Sequence, residues 1–284
     1  METITSIRAM QRWADGARAA GRRIGLVPTM GYLHAGHLSL VAVARRHADA
    51  VVASIFVNPM QFGPDEDLAR YPRDLERDTE LLSDADAEVL YLPQASQMYP
   101  DGFQTAVTVE QVTGCLCGEK RPGHFRGVTT VVTKLFNAVK PQVAVFGRKD
   151  FQQLVTIRRM VRDLDYDIEI LGAPIVREPD GLAMSSRNAY LAGAERAAAR
   201  CLSQALAAAE DAVQQGENRG AALLERVRAV LSAEPRARID YVALADAESL
   251  QPVEYVAGAA VLALAVFIGA TRLIDNTILG DSAR

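Results

Sequence analysis

Residues 23–48 read RIGLVPTMGYLHAGHLSLVAVARRHA, and the division of this stretch decides the fold. Arg23–Pro28 is a short apolar segment that ends in a turn, the pattern of a buried strand. Gly36–Ala48 carries helical spacing, and the glycine-containing loop Pro28–His37 joins the two. Upstream, Ser6–Ala20 places Ile7, Met10, Trp13, Ala14 and Ala17 on one helical face and stops at Gly21. Downstream, Ala50–Val57 (AVVASIFV) is a near-continuous apolar strand, Leu75–Leu82 lies in a charged helix, and Glu88–Leu92 is a third strand.

After a loop-rich stretch the alternation resumes. Gly127–Val139 and Phe151–Leu164 read as helices, and Gln142–Phe146 and Asp167–Val176 as strands. Strands that are apolar throughout, alternating with helices, predict a parallel sheet covered on both faces. The remainder differs in order. Gly193–Gln215 and Gly220–Ala233 read as helices, followed by strands near Ile239–Ala245, Ala260–Ile268 and Thr271–Ile278. The expected fold class is therefore α/β, with a parallel-sheet domain over residues 1–175 and a smaller α+β C-terminal domain over 176–284 that packs closely on it. The length of 284 residues suits two domains.

Composition narrows the function classes. The chain is 49% hydrophobic and 23% charged, with 31 basic against 35 acidic residues for a formal charge of −4. A general face for nucleic-acid phosphates is not expected from that balance. Only four basic residues are lysines (Lys120, Lys134, Lys140, Lys149), and there are four histidines, so each carries some weight as a chemical choice. Three cysteines, Cys115, Cys117 and Cys201, show no disulfide or metal spacing. Met1–Gly21 lacks the apolar core of a secretory signal, so the expected location is cytoplasmic. Gly258–Ala270 is shorter than the ~20 residues of a spanning helix and reads as buried strand, so no membrane role is expected.

In open parallel sheets, ligands bind outside the carboxyl ends of the strands. The loops after Pro28, Val57, Phe146 and Val176 are thus expected to converge. The first holds Met30, Gly31, His34 and His37 at a helix start, where free N–H groups favour an anion. Two imidazoles three residues apart share a face there and can donate to polyphosphate oxygens. The alternative is a pair of helix-start histidines satisfied by nearby carbonyls. A zinc site would need further ligands that this loop does not offer.

The second loop carries Asn58 and Gln61, amides suited to a small polar substrate, and Gly63–Tyr71 reads either as a mobile lid or as an ordinary surface loop. The third holds Gly147, Lys149 and Asp150, with a Lys149–Asp150 pair in a solvated turn as the alternative; it is not a P-loop. The fourth, Met184-Ser185-Ser186-Arg187, offers two hydroxyls and a guanidinium for phosphate, against a serine-led helix cap. A fifth segment, Arg121–Gly127, adds His124 and two arginines before a helix.

Taken in order, PTMGYLHAGH, SIFVNPMQF, RPGHFRGV, GRKDFQQL and MSSRN resemble the pantothenate synthetase (pantoate–β-alanine ligase) family, of the His-x-Gly-His nucleotidylyltransferases. The resemblance runs from about Arg23 to Leu191, with RLIDN at Arg272–Asn276 resembling the family's C-terminal end. It implies a Rossmann-like sheet domain and a reaction in two steps, pantoate and ATP giving pantoyl adenylate and pyrophosphate, then β-alanine giving pantothenate and AMP. It implies that Gln61, Gln153 and Asn58 hold the substrates, and that Met30, Gly31, His34, His37, Gly147, Lys149, Asp150, Val176, Met184, Ser185, Ser186 and Arg187 surround ATP. Catalytic roles fall to His37, His34 and Lys149, with His37 the usual proton donor. Mg²⁺ on the triphosphate and a homodimer are implied as well, with no assigned metal ligands. Two other readings stay open: a related adenylyltransferase acting on another small acid, and an inactive nucleotide-binding homologue.

Overall fold

The computed structural model describes residues 1–64 and 66–280. The first unit runs β1 (Glu2–Ile4), α1 (Ile7–Ala19), β2 (Ile24–Thr29), α2 (Ala35–His47), β3 (Ala50–Ile55), α3 (Leu75–Asp84), β4 (Val89–Tyr91), α4 (Ala95–Met98), α5 (Leu116–Lys120), α6 (His124–Val139), β5 (Val143–Gly147), α7 (Phe151–Asp163) and β6 (Glu169–Ala173). The second runs α8 (Gly193–Ala198), α9 (Cys201–Gln214), α10 (Gly220–Ser232), β7 (Ala237–Asp246), β8 (Ala260–Ile268) and β9 (Thr271–Leu279).

The six strands of the first unit form one parallel sheet in the order β1-β4-β3-β2-β5-β6. Strand alternation explains why they are apolar throughout. Ile24, Leu26, Val52, Ala144 and Phe146 enter the core under α1, α6 and α7. Their chain neighbours Val27, Val51, Ala53, Val143 and Val145 enter the opposite core under α2 and α3. The chain moves from β2 outward to β4 on one side and returns through β5 and β6 on the other. Strand order therefore reverses between β2 and β5, and a crevice opens at their carboxyl ends.

The second unit is an antiparallel three-stranded meander, β7-β8-β9, covered by α9 and α10. A small apolar cluster, Val112 and Val155 with Ala245, Leu250, Val261 and Ala263, joins the two units.

Several boundaries differ from expectation. The strand expected over Asp167–Val176 ends at Ala173, where Pro174 removes the next ladder donor. The single helix expected over Gly193–Gln215 is two, because the ladder tightens to three-residue bonds at Ala199–Arg200 while the backbone stays right-handed. The helix expected from Gly127 begins at His124, after Gly123 in the left-handed region. The three-residue edge strand β1 and the short helices α4 and α5 were not expected. No described helix is long and apolar enough to cross a membrane.

Candidate active site

The four loops meet. A cavity of about 220 Å³ at the sheet's carboxyl edge is lined by Met30, His34, His37, Asn58, Gln61, Gly147, Lys149, Asp150, Gln153, Val176, Met184, Ser185, Ser186 and Arg187. Gly31 stands outside this lining; its φ of +86° makes the turn that leads into α2. A larger cavity of about 660 Å³ lies between the two units and shares Arg121, His124, Lys149, Asp150, Gln153, Ser185 and Arg187 with the first.

At the head of α2, the histidine spacing makes a reciprocal cap. His34 is the N-cap, and the Gly36 N–H donates to its Nδ1 at 3.1 Å. The His34 N–H donates in turn to His37 Nδ1 at 3.3 Å. This is the geometry of a Ser-x-x-Glu capping box built from imidazoles. With each Nδ1 accepting, each ring proton resides on Nε2, the nitrogen left for a ligand. Burial, reinforced by the Lys149 charge, lowers His34 to about 4. Burial and the neighbouring His34 hold His37 well below its ordinary value. Both rings are thereby held as neutral hydrogen-bond donors at pH 7. Gly36 fits because a Cβ there would stand 2.8 Å from the His34 ring.

A residue not anticipated from sequence holds this loop. Asp78, buried on α3, accepts the Tyr32 N–H at 2.6 Å and the Leu33 N–H at 2.7 Å, and Arg77 donates to the Leu33 carbonyl at 3.0 Å. The only hint was an acid on the same helical face as the buried Leu82, four residues on.

Asn58 lies on the cavity wall with its polar atoms paired within the protein. Its amide donates to Gln61 Oε1 at 3.0 Å and to the Gly127 carbonyl at 3.1 Å, while Oδ1 accepts from Tyr99 at 2.8 Å and from the Met60 N–H at 3.3 Å. Both amide hydrogens are used within the protein, one of them on Gln61. Gln61 Nε2 points to Met30 Sδ at 3.3 Å. The cavity wall beside the amides is apolar, formed by Phe56, Phe62, Val128, Val131, Val132 and Leu135.

On the opposite side, Lys149 Nζ lies 3.6 Å from Asp150 Oδ2, so the expected alternative pair exists, on the wall of both cavities. Ser185 caps the turn Ser186–Tyr190, accepting from the Arg187 N–H at 3.3 Å, and Ser186 donates to the Tyr32 carbonyl at 3.1 Å. The serine-led cap is therefore present, and it ties the fourth loop to the first. Arg187 makes a bidentate pair with Asp67, both contacts at 2.8 Å. Arg121 grips Glu66, with Nε–Oε1 at 2.7 Å. Glu66 and Asp67 belong to the candidate lid, which is thus tied to two site arginines; Asp65 of that segment lies outside the described residues. His124 donates through Nδ1 to the Gln61 carbonyl at 2.8 Å when neutral, and burial beside Arg121 lowers it to about 4.

The parallel sheet thus gathers at one crevice a histidine-capped helix start, a lysine turn and a Ser-Ser-Arg loop. The family model for pantoate-beta-alanine ligase matches residues 2–278. A pantothenate synthetase from Syntrophobacter fumaroxidans is 58% identical over 283 residues, covering all of both chains. The pantothenate synthetase of Thermus thermophilus superposes with a TM-score of 0.92 at 48% identity, over 98% of this chain and 99% of that one. A Francisella tularensis pantoate-beta-alanine ligase, solved with beta-gamma ATP and beta-alanine, gives 0.80 at 31% identity over 98% and 97%. The chain belongs to the pantoate-beta-alanine ligase family and is an ATP-dependent ligase.

Proposed function

We propose that the cavity at the sheet edge carries out the family's reaction with the residues that line it. In the first half-reaction the pantoate carboxylate attacks the α-phosphorus of ATP, forming pantoyl adenylate and releasing pyrophosphate. In the second the β-alanine amine attacks the acyl carbon, loses a proton, and expels AMP. The observation that carries this reading is the pair of imidazoles at the head of α2, their Nδ1 atoms taken by backbone N–H groups, lining the same cavity as Lys149, Gln61 and Gln153.

The first step needs alignment and stabilisation of charge on phosphate oxygens rather than covalent help. His34 and His37 donate hydrogen bonds to those oxygens, and Lys149 supplies a full charge. Arg187 joins them by exchanging Asp67 for phosphate, and the Ser185 and Ser186 hydroxyls turn from backbone partners to the nucleotide. Gln61 and Gln153 orient pantoate, whose branched carbon body suits the apolar wall of α6. Gly147, Val176, Met184 and Met30 frame the rest of ATP.

Magnesium fits as a companion of the nucleotide. Among the described residues no group of three metal-ligating side chains is assembled. Asp150, half-exposed on the wall of both cavities, would supply one carboxylate, with phosphate oxygens and water completing the shell. Bound there, the ion would neutralise phosphate charge. Residues 1–175 form the ATP- and pantoate-binding domain in this reading, and 176–284 the domain that closes over it. A cytoplasmic homodimer is proposed with it on the family likeness.

Exchange of labelled pyrophosphate into ATP tests the function directly. Exchange is expected only when pantoate is present. Exchange supported by a different acid would identify another adenylyltransferase, and none with any acid would leave a nucleotide-binding homologue.

A further inference from the structure

The RLIDN stretch of β9 lies more than 80 residues beyond the last site loop, yet two of its side chains reach that site. Strand alternation separates them. Asn276 shares a face with Ile278, which packs on the apolar cluster between the two units. Asp275 shares the other face with Leu273 and Leu279, which enter the C-terminal core.

From the first face, Asn276 Nδ2 donates to the carbonyls of Arg148 at 3.1 Å and Lys149 at 2.8 Å. Both amide hydrogens are thereby used on the turn that presents Lys149. From the second face, Asp275 binds Arg177 through two contacts, Nη1–Oδ2 at 2.6 Å and Nη2–Oδ1 at 3.0 Å. Arg177 also donates to the Gly181 carbonyl at 3.1 Å, at the tip of the hairpin closed by the Arg177–Ala183 bridge and the Met184-to-Val176 bond. The returning arm of that hairpin runs directly into Ser185–Arg187. Asp275 and Asn276 are both buried, and β9 is in unbroken register with β8.

We propose that Asp275 and Asn276 are positioning residues for adenylate formation, fixing the distance between the Lys149 turn and the Ser185–Arg187 loop across the phosphate site. Neither lines the sheet-edge cavity, although both stand on the wall of the larger one; a single strand grips the supports of both loops. Lys149 carries its charge on a long flexible stem, so its placement depends on a fixed turn. The effect is larger in the first half-reaction, in which charge moves onto departing pyrophosphate. The second half-reaction displaces AMP from an acyl carbon held by Gln61 and Gln153. The inference rests on the phosphate-site reading above.

The test compares the two half-reactions in the same preparations of Asn276→Asp, Asn276→Ala, Asn276→Gln and Asp275→Asn. The first is read by pantoate-dependent pyrophosphate–ATP exchange, the second by pantothenate release from preformed pantoyl adenylate and β-alanine, with thermal unfolding alongside. Asn276→Asp keeps the shape but sets a carboxylate against two carbonyls. With it and with Asn276→Ala, kcat for exchange should fall about 10- to 100-fold, the scale of a ~1 Å misplacement. KM for pantoate should stay within about three-fold, and the second half-reaction should fall clearly less than the first, since pyrophosphate has already left. Asp275→Asn should show the same split, and Asn276→Gln, which keeps the donor, should recover a substantial part of the exchange rate. A normal exchange rate in Asn276→Asp overturns the inference, as does a parallel loss of both half-reactions with unfolding temperature. Absence of exchange in the unaltered chain would instead overturn the functional reading, and this inference with it.

Discussion

A histidine whose Nδ1 is taken by a backbone N–H has one proton to offer, and it lies on Nε2. His34 and His37 are both in that state, so their contribution to the site is two directed hydrogen bonds without titration near neutrality. Accordingly, kcat/KM for ATP should show no ionisation between about pH 6 and 7 beyond that of the ATP terminal phosphate itself, where an ordinary histidine with a pKa of ~6.5 would titrate. A further break there, absent from the titration of free ATP and lost in His34→Asn or His37→Asn, would refute the neutral assignment. Stability should respond in the opposite manner. His34 and His124 each fall to about 4 in the folded chain, chiefly through burial, and His37 is lowered as well. As pH drops below the unfolded value near 6.5, the unfolded chain gains protons that the folded chain refuses, and stability declines toward pH 4. Thermal unfolding at pH 7, 6 and 5 should show this fall, and replacing both His34 and His37 with Asn should reduce it to the share left by His124.

Helix α2 sets two preferences against each other at Gly36. Alanine is better than glycine inside a helix by about 1 kcal/mol, so propensity alone favours Gly36→Ala. The added Cβ would stand 2.8 Å from the His34 ring, which must then leave its cap. Sterics should win: Gly36→Ala is expected to raise KM for ATP or lower kcat by about ten-fold or more, with no gain in unfolding temperature. Normal kinetics with increased stability would show that the cap is dispensable. At this scale the sequence was most readable where burial on both faces forced long apolar runs, as in β2, β3 and β5. Strand β1 left no signal because three residues, only one of them buried, carry no period. The interruption between α8 and α9 left none either, since an alanine-rich run has helical propensity on both sides of it.

Across the whole molecule, the formal charge of −4 coexists with a crevice walled by Lys149, Arg121 and Arg187. Capture of ATP should therefore weaken with salt more than capture of the singly charged pantoate. Raising potassium chloride from about 0.05 to 0.5 M shortens the screening length from over 10 Å to under 5 Å, and kcat/KM for ATP should fall several-fold while that for pantoate changes less. Equal sensitivity would argue that the arginines remain paired with Glu66 and Asp67 throughout turnover. The motif loops were legible because each carries its chemistry within about ten residues. Asp78, Arg177 and the Asp275–Asn276 pair were not, since their partners lie 45, 98 and more than 120 residues away, and only folding brings them together.

The grip of β9 also bears on how the chain is made. Every side chain assigned to the phosphates has left the ribosome's catalytic centre once Arg187 is added, but Asn276 follows roughly 90 residues later. At about 5–20 residues per second, that interval is on the order of 5–20 s. During it a nascent chain carries the phosphate-contacting groups without the strand that spaces them, so full competence for adenylate formation waits on an element synthesised well after the site's own loops.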